Sequence, residues 1–148
     1  MSGRFLFPII LFLSFCSSKN KSIDIYSYQT KSKGEKLRIL KDYVRLDPGL
    51  RDAEYHIWYQ DNSDGWIPGP SDYNLTLALK ITPDSIDHWL KGLSRSTTEI
   101  THAPWQKLKL DSSWNFTSAP EYYGAEQENG AKIVYRDEGI ILALYSTN

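Results

Sequence analysis

Residues 73–81, YNLTLALKI, decide the fold class. Tyr73, Leu75, Leu77, Leu79 and Ile81 fall on one side of a two-residue repeat, and Asn74, Thr76, Ala78 and Lys80 on the other. Successive side chains of an extended chain point to opposite sides, so this is the pattern of a β-strand with one buried face. The segment upstream repeats it with aromatic and β-branched residues. In 53–60, AEYHIWYQ, the set Ala53, Tyr55, Ile57 and Tyr59 turns to the core, leaving Glu54, His56, Trp58 and Gln60 outward. Between the two strands, residues 61–72, DNSDGWIPGPSD, supply two glycines and two prolines, which bend and stiffen a turn.

Downstream, Thr82-Pro83-Asp84-Ser85 reads as a helix start: threonine caps, proline suits the first helical position, and aspartate complements the positive end of the dipole. Ile86, Trp89, Leu90 and Leu93 then recur at helical spacing, one stripe facing the sheet. Upstream, Leu37, Leu40 and Val44 with charges between them predict a short amphipathic helix, ended by Asp47-Pro48-Gly49. Trp105 to Leu110 alternates as an edge strand. Residues 111–130 carry Trp114, Phe116, Tyr122 and Tyr123, and are long for a structureless loop, so a short strand or aromatic packing is expected there. Two apolar runs, 131–136 and 140–145, flank Asp137-Glu138-Gly139 as a closing hairpin. The expected fold is a small single α+β domain: a mostly antiparallel sheet of about five strands, two helices on one face, and a C-terminal β-hairpin.

The 148 residues suffice for one ordinary domain, with 41% hydrophobic and 24% charged residues. Part of the apolar share belongs to residues 5–15, FLFPIILFLSF, which follow Arg4 and stop at Cys16. A positive start, an apolar run of roughly ten residues and a processing site describe a secretory signal. The run is short of the roughly twenty residues a spanning helix needs. Residues 17–35, rich in Ser, Lys, Asn and Thr, read as a flexible tether, and 36–148 as the globular domain. Losing Arg4 with the signal takes the net charge from −1 to −2, with no basic stripe of the kind nucleic acid requires.

Leu13-Ser14-Phe15-Cys16 resembles the lipobox of bacterial lipoproteins, with leucine three places before the cysteine and Phe15 standing where the family has a small residue. The resemblance covers the first sixteen residues. It implies acylation of Cys16 and a lipid anchor in the bacterial cell envelope, at the outer membrane or cell surface. The same triplet also fits ordinary signal cleavage, which leaves a secreted or periplasmic soluble protein. With the only cysteine used as an anchor, the domain itself is expected to hold no disulfide or thiolate.

No nucleophile elbow, zincin motif or phosphate loop occurs. DNSDG is not a calcium loop, because its glycine falls at the fifth position and position twelve is Asp72. No cofactor and no metal site is expected. The chemistry left is aromatic: Trp58 on an outward strand face and Trp66 in the loop, with His56, Asp61 and Asp64, are the candidate binding patch. The competing expectation is that the Trp114 to Tyr123 segment covers both tryptophans. The functional expectation is a non-catalytic, membrane-tethered envelope domain that binds a protein or glycan, of which an inhibitor or immunity-like protein is one form. Two alternatives stand beside it: a small hydrolase using His56 with Asp61 or Asp64, and a purely structural envelope protein.

Overall fold

The alternating segments at 53–60 and 73–81 pair with each other within one sheet. A computed structural model describes residues 21–63, 69–124 and 130–147. Its strands are β1 (Ser22–Tyr26), β2 (Leu50–Gln60), β3 (Asp72–Ile81), β4 (Ser94–Ser96), β5 (Glu121–Gly124), β6 (Gly130–Tyr135) and β7 (Ile140–Ser146). The order across the sheet is β1-β2-β3-β7-β6-β5-β4, and every pairing is antiparallel. Two helices, α1 (Lys33–Lys41) and α2 (Ile86–Trp89), complete an α+β fold with seven strands where about five were expected. No helix among the described residues is long and apolar enough to cross a membrane.

Three short strands account for most of the difference. β4, β5 and β1 run for 3, 4 and 5 residues, too short for a two-residue repeat to stand out in sequence. The expected strand at 105–110 is instead a 3-10 turn over Ala103–Lys107, where Pro104 fixes the backbone and Trp105 and Leu108 turn inward. The second helix is also shorter than its apolar stripe suggested: a 3-10 turn over Pro83–Ser85 feeds a single α-turn.

Within residues 21–35, expected as tether, Ser22–Tyr26 is instead a strand of the sheet, followed by a 3-10 turn over Ser27–Gln29 and the start of α1. β1 pairs with β2 from Ser22–Gln60 to Tyr26–His56. The buried Ser27 hydroxyl accepts from Tyr55 N at 2.9 Å and donates to the Glu54 carboxylate, which also holds Lys36 of α1. Ser32 caps α1 by accepting from Glu35 N at 3.2 Å. The polar residues that looked like linker are thus satisfied by one another and by β2, which apolar periodicity does not register.

Both faces of the sheet are covered, not one. On the first, Ala53, Tyr55, Ile57, Leu75, Leu77, Leu79 and Ile81 pack under Leu40, Ile86 and Trp89. On the second, Ala78, Ile133, Tyr135 and Leu142 pack under Trp105, Leu108 and Trp114. The C-terminal hairpin forms as expected, with Gly139 at φ +66 in the left-handed region. A Cβ there would lie 2.1 Å from Ile81 O, whose residue donates its N–H to Gly139 O at 2.7 Å.

Candidate functional site

The first face is longer than what lies over it. At about 1.5 Å per residue, the 9 residues of α1 span roughly 13 Å. At about 3.3 Å per residue, the 11 residues of β2 span roughly 36 Å. Leu40, Ile86 and Trp89 pack over this face, and the end near the 61–71 connection, where Tyr59 and Tyr73 stay partly exposed, overhangs.

Along the overhang the apolar face changes character from leucine to tyrosine. Tyr59 pairs with Tyr73 on one rung, and Ile57 with Leu75 and Leu75 with Tyr145 on the next. The segment leaving α1 supplies Tyr43, Val44 and Arg45 as an opposite wall, and together these residues enclose a cleft of about 450 Å³. That lies within the ~300–1,000 Å³ typical of ligand pockets. Tyr43 and Tyr73, at 38% and 39%, are among the most exposed large apolar side chains described. Among the described residues, the hydroxyls of Tyr43, Tyr59 and Tyr73 bond to no protein group, and their rings stack on no other ring. Among the described residues, the only charged side chain in the lining is Arg45, 91% exposed, with Nε 3.7 Å from Asp47.

A second cavity, of about 430 Å³, opens on the other face between Trp105, Phe116 and Tyr135. His102 and Tyr135 are already paired there: His102 Nε2 lies 2.7 Å from Tyr135 Oη, and the Phe116 and Tyr135 rings meet edge-on at 4.9 Å. Burial pushes the Tyr135 phenol up, so it stays a neutral hydrogen-bonding group. The tyrosine cleft, where the hydroxyls of Tyr43, Tyr59 and Tyr73 have no hydrogen-bond partner among the described residues, is the better candidate.

The residues singled out in sequence do not converge. His56 and Trp58 share the second face, the side of β2 opposite Tyr59. His56 is 8% exposed, stacked under Tyr26 at 4.1 Å, with Nε2 2.7 Å from Asp24. Its Nδ1 is buried with no partner among the described residues. Asp61 begins the connection about 16 Å further along the strand direction, and its carboxylate accepts from Ser63 N and Oγ, which lowers its pKa. His56 is thus partnered by Asp24 and not by Asp61. Asp64, Trp66 and Cys16 lie outside the described residues.

Trp58 is half-buried beside Asn74, whereas Trp114 sits against Lys80, its ring centre 4.5 Å from the ammonium. Six residues of β3, about 20 Å, separate them, so Trp114 is not what covers Trp58. Sequence reasoning missed Tyr43, Arg45 and Tyr145, and took Tyr59 and Tyr73 for core. The signal available was the pairing of Tyr59 with Tyr73 on the rung nearest the turn, where an amphipathic ring suits a half-wet surface.

No family model, curated protein or solved structure matches this chain.

Proposed function

We propose that this protein is a non-catalytic binding domain, tethered to a bacterial envelope membrane through acylated Cys16, and that it holds its partner in the tyrosine cleft. The observation that carries the reading is the overhang: a sheet face bearing Tyr59, Tyr73 and Tyr145, walled on the other side by Tyr43 from the segment leaving α1. Tyrosine provides large contact area with few rotamers to freeze, and both tyrosine and arginine are enriched where binding energy concentrates at interfaces. The surface suits a protein or glycan partner of the envelope.

Two measurements test it. Mass spectrometry of the mature protein is expected to find an acylated Cys16 at the N-terminus, and an unmodified start further along removes the anchor. Partners captured from envelope extracts, identified and rebound as pure components, are expected to lose at least about tenfold in affinity with Tyr43→Ser or Tyr73→Ser, as for a truncated aromatic anchor. Trp58→Ala, on the opposite face, leaves them bound. Equal binding by all three variants rejects the cleft.

A further inference from the structure

The geometry points to a choline phosphate headgroup of the anchoring bilayer as the occupant of the tyrosine cleft. This rests on the cleft being the binding site, and it moves the partner from solution to the membrane.

Position comes first. Ser22 pairs with Gln60, and Gln60 with Asp72, so the chain enters the sheet on the rung beside Tyr59 and Tyr73. Asp61 N donates to Lys21 O at 2.9 Å, fixing that entry at the overhanging end. Five residues lie between Cys16 and Ser22, a reach of at most about 22 Å. Of the two ends of the sheet, the one with the cleft is therefore the one tied close to the acyl chains.

Chemistry comes second. A quaternary ammonium is attracted to the faces of aromatic rings, and a phosphate to the fork of a guanidinium. Among the described residues the cleft offers tyrosine rings, with those of Tyr43, Tyr59 and Tyr73 unstacked, and one cation, Arg45, with no carboxylate or side-chain amide in the lining. A sugar, whose hydroxyls need oriented acceptors, finds fewer partners here. A bare cation finds Arg45 against it. A zwitterion carrying phosphate next to quaternary ammonium satisfies both parts of the site. The Asp47 carboxylate engages only the Nε side of Arg45, leaving the terminal nitrogens for phosphate oxygens.

The test titrates the purified, anchored protein with choline phosphate, choline and inorganic phosphate while following the tyrosine ring resonances by NMR. Choline phosphate is expected to move the Tyr43 and Tyr73 rings and to bind about tenfold more tightly than choline, the order expected of one added charge-assisted contact. Arg45→Gln is expected to erase that advantage, and Tyr73→Leu to weaken choline and choline phosphate together. Protein anchored in phosphatidylcholine nanodiscs should already show the choline phosphate shifts, and in phosphatidylglycerol nanodiscs should not. Equal binding of choline and choline phosphate overturns the role of Arg45. Free choline phosphate binding without a nanodisc shift overturns the bilayer as its source. Ring shifts from an oligosaccharide or a captured protein alone overturn the headgroup and keep the cleft. Silence of the rings to every probe and captured partner removes the cleft itself.

Discussion

Tyr55 and Tyr59 stand four residues apart on the same strand and the same face, and they have opposite fates. Tyr55 lies under α1 with 0% exposure, its hydroxyl donating to Lys36 O at 3.2 Å. Tyr59 lies beyond the helix and lines an open cleft. Neither the residue nor its local backbone differs; what differs is whether a nine-residue helix reaches over it. The covered end of the sheet is a core held by packing and by hydrogen bonds with fixed partners. The open end keeps the same alternation but turns its polar tips outward, and that converts a core face into a binding face.

The largest effect that tests this contrast is truncation at each end. Tyr55→Ala is expected to destabilise the protein by about 3–5 kcal/mol in denaturant unfolding, since it removes a large ring from a fully enclosed site and leaves a cavity. Tyr73→Ala, on the exposed rim, is expected to cost under about 1 kcal/mol while weakening the ligand. Comparable losses of stability at both positions break the distinction between core and cleft.

Next in size is the response to alkali. Burial, reinforced by the charge of Glu54, pushes the Tyr55 phenol up to about 12, from an ordinary value of 10.0. The unfolded chain gives up that proton near 10 and the folded one does not, so the stability Tyr55 contributes is complete below pH 10 and falls as pH rises towards 12. Tyr55→Phe removes one hydrogen bond, for about 1 kcal/mol near neutrality, and is expected to flatten the alkaline decline. Ultraviolet phenolate titration of the wild type should show several late phenols, Tyr135 among them, of which the latest is missing in the variant. An unchanged alkaline limb in Tyr55→Phe places the late titration elsewhere.

The contrast between the ends also explains what could be read from the sequence. The central hairpin and the closing hairpin were legible because Leu75 to Ile81 and Ile140 to Ala143 repeat under selection by burial alone. β1 was not, because its attachment runs through Ser27, Glu54 and Lys36, polar residues whose value appears only once they meet across 27 and 18 positions. Asp24 was missed for the same reason: its partner, His56, is 32 residues away. The aromatic site was half-legible. An exposed cluster of rings was expected near the 61–72 turn, and rings do gather there, but on the face assigned to the core. The alternation gave the right faces, and what it does not carry is the length of the cover.

The smallest expected effect tests whether the covered end is held as a unit apart from the cleft. Glu138, in the turn between β6 and β7, accepts from the hydroxyls and backbone N–H groups of Ser118 and Thr117. These bonds, the Ser118 and Thr117 hydroxyls foremost, hold its carboxyl down to about 2 from an ordinary 4.5. A depressed carboxyl contributes stability that is complete above the unfolded value and is lost as pH falls through the folded one, here between about 4.5 and 2. Because Ser118 follows Trp114 and Phe116 in the segment that covers the second face, acid should loosen that cover first. Amide exchange at Thr117 and Ser118 is expected to accelerate between pH 4 and 2.5, with the Tyr73 ring resonances unmoved until global unfolding. Glu138→Gln, which cannot gain a carboxylate's bonds at any pH, should show the fast exchange already at pH 6 and little further change in acid. If the cleft tyrosines shift together with Ser118, the two ends respond as one body, and the division of the sheet into a clamped core and an independent binding end fails.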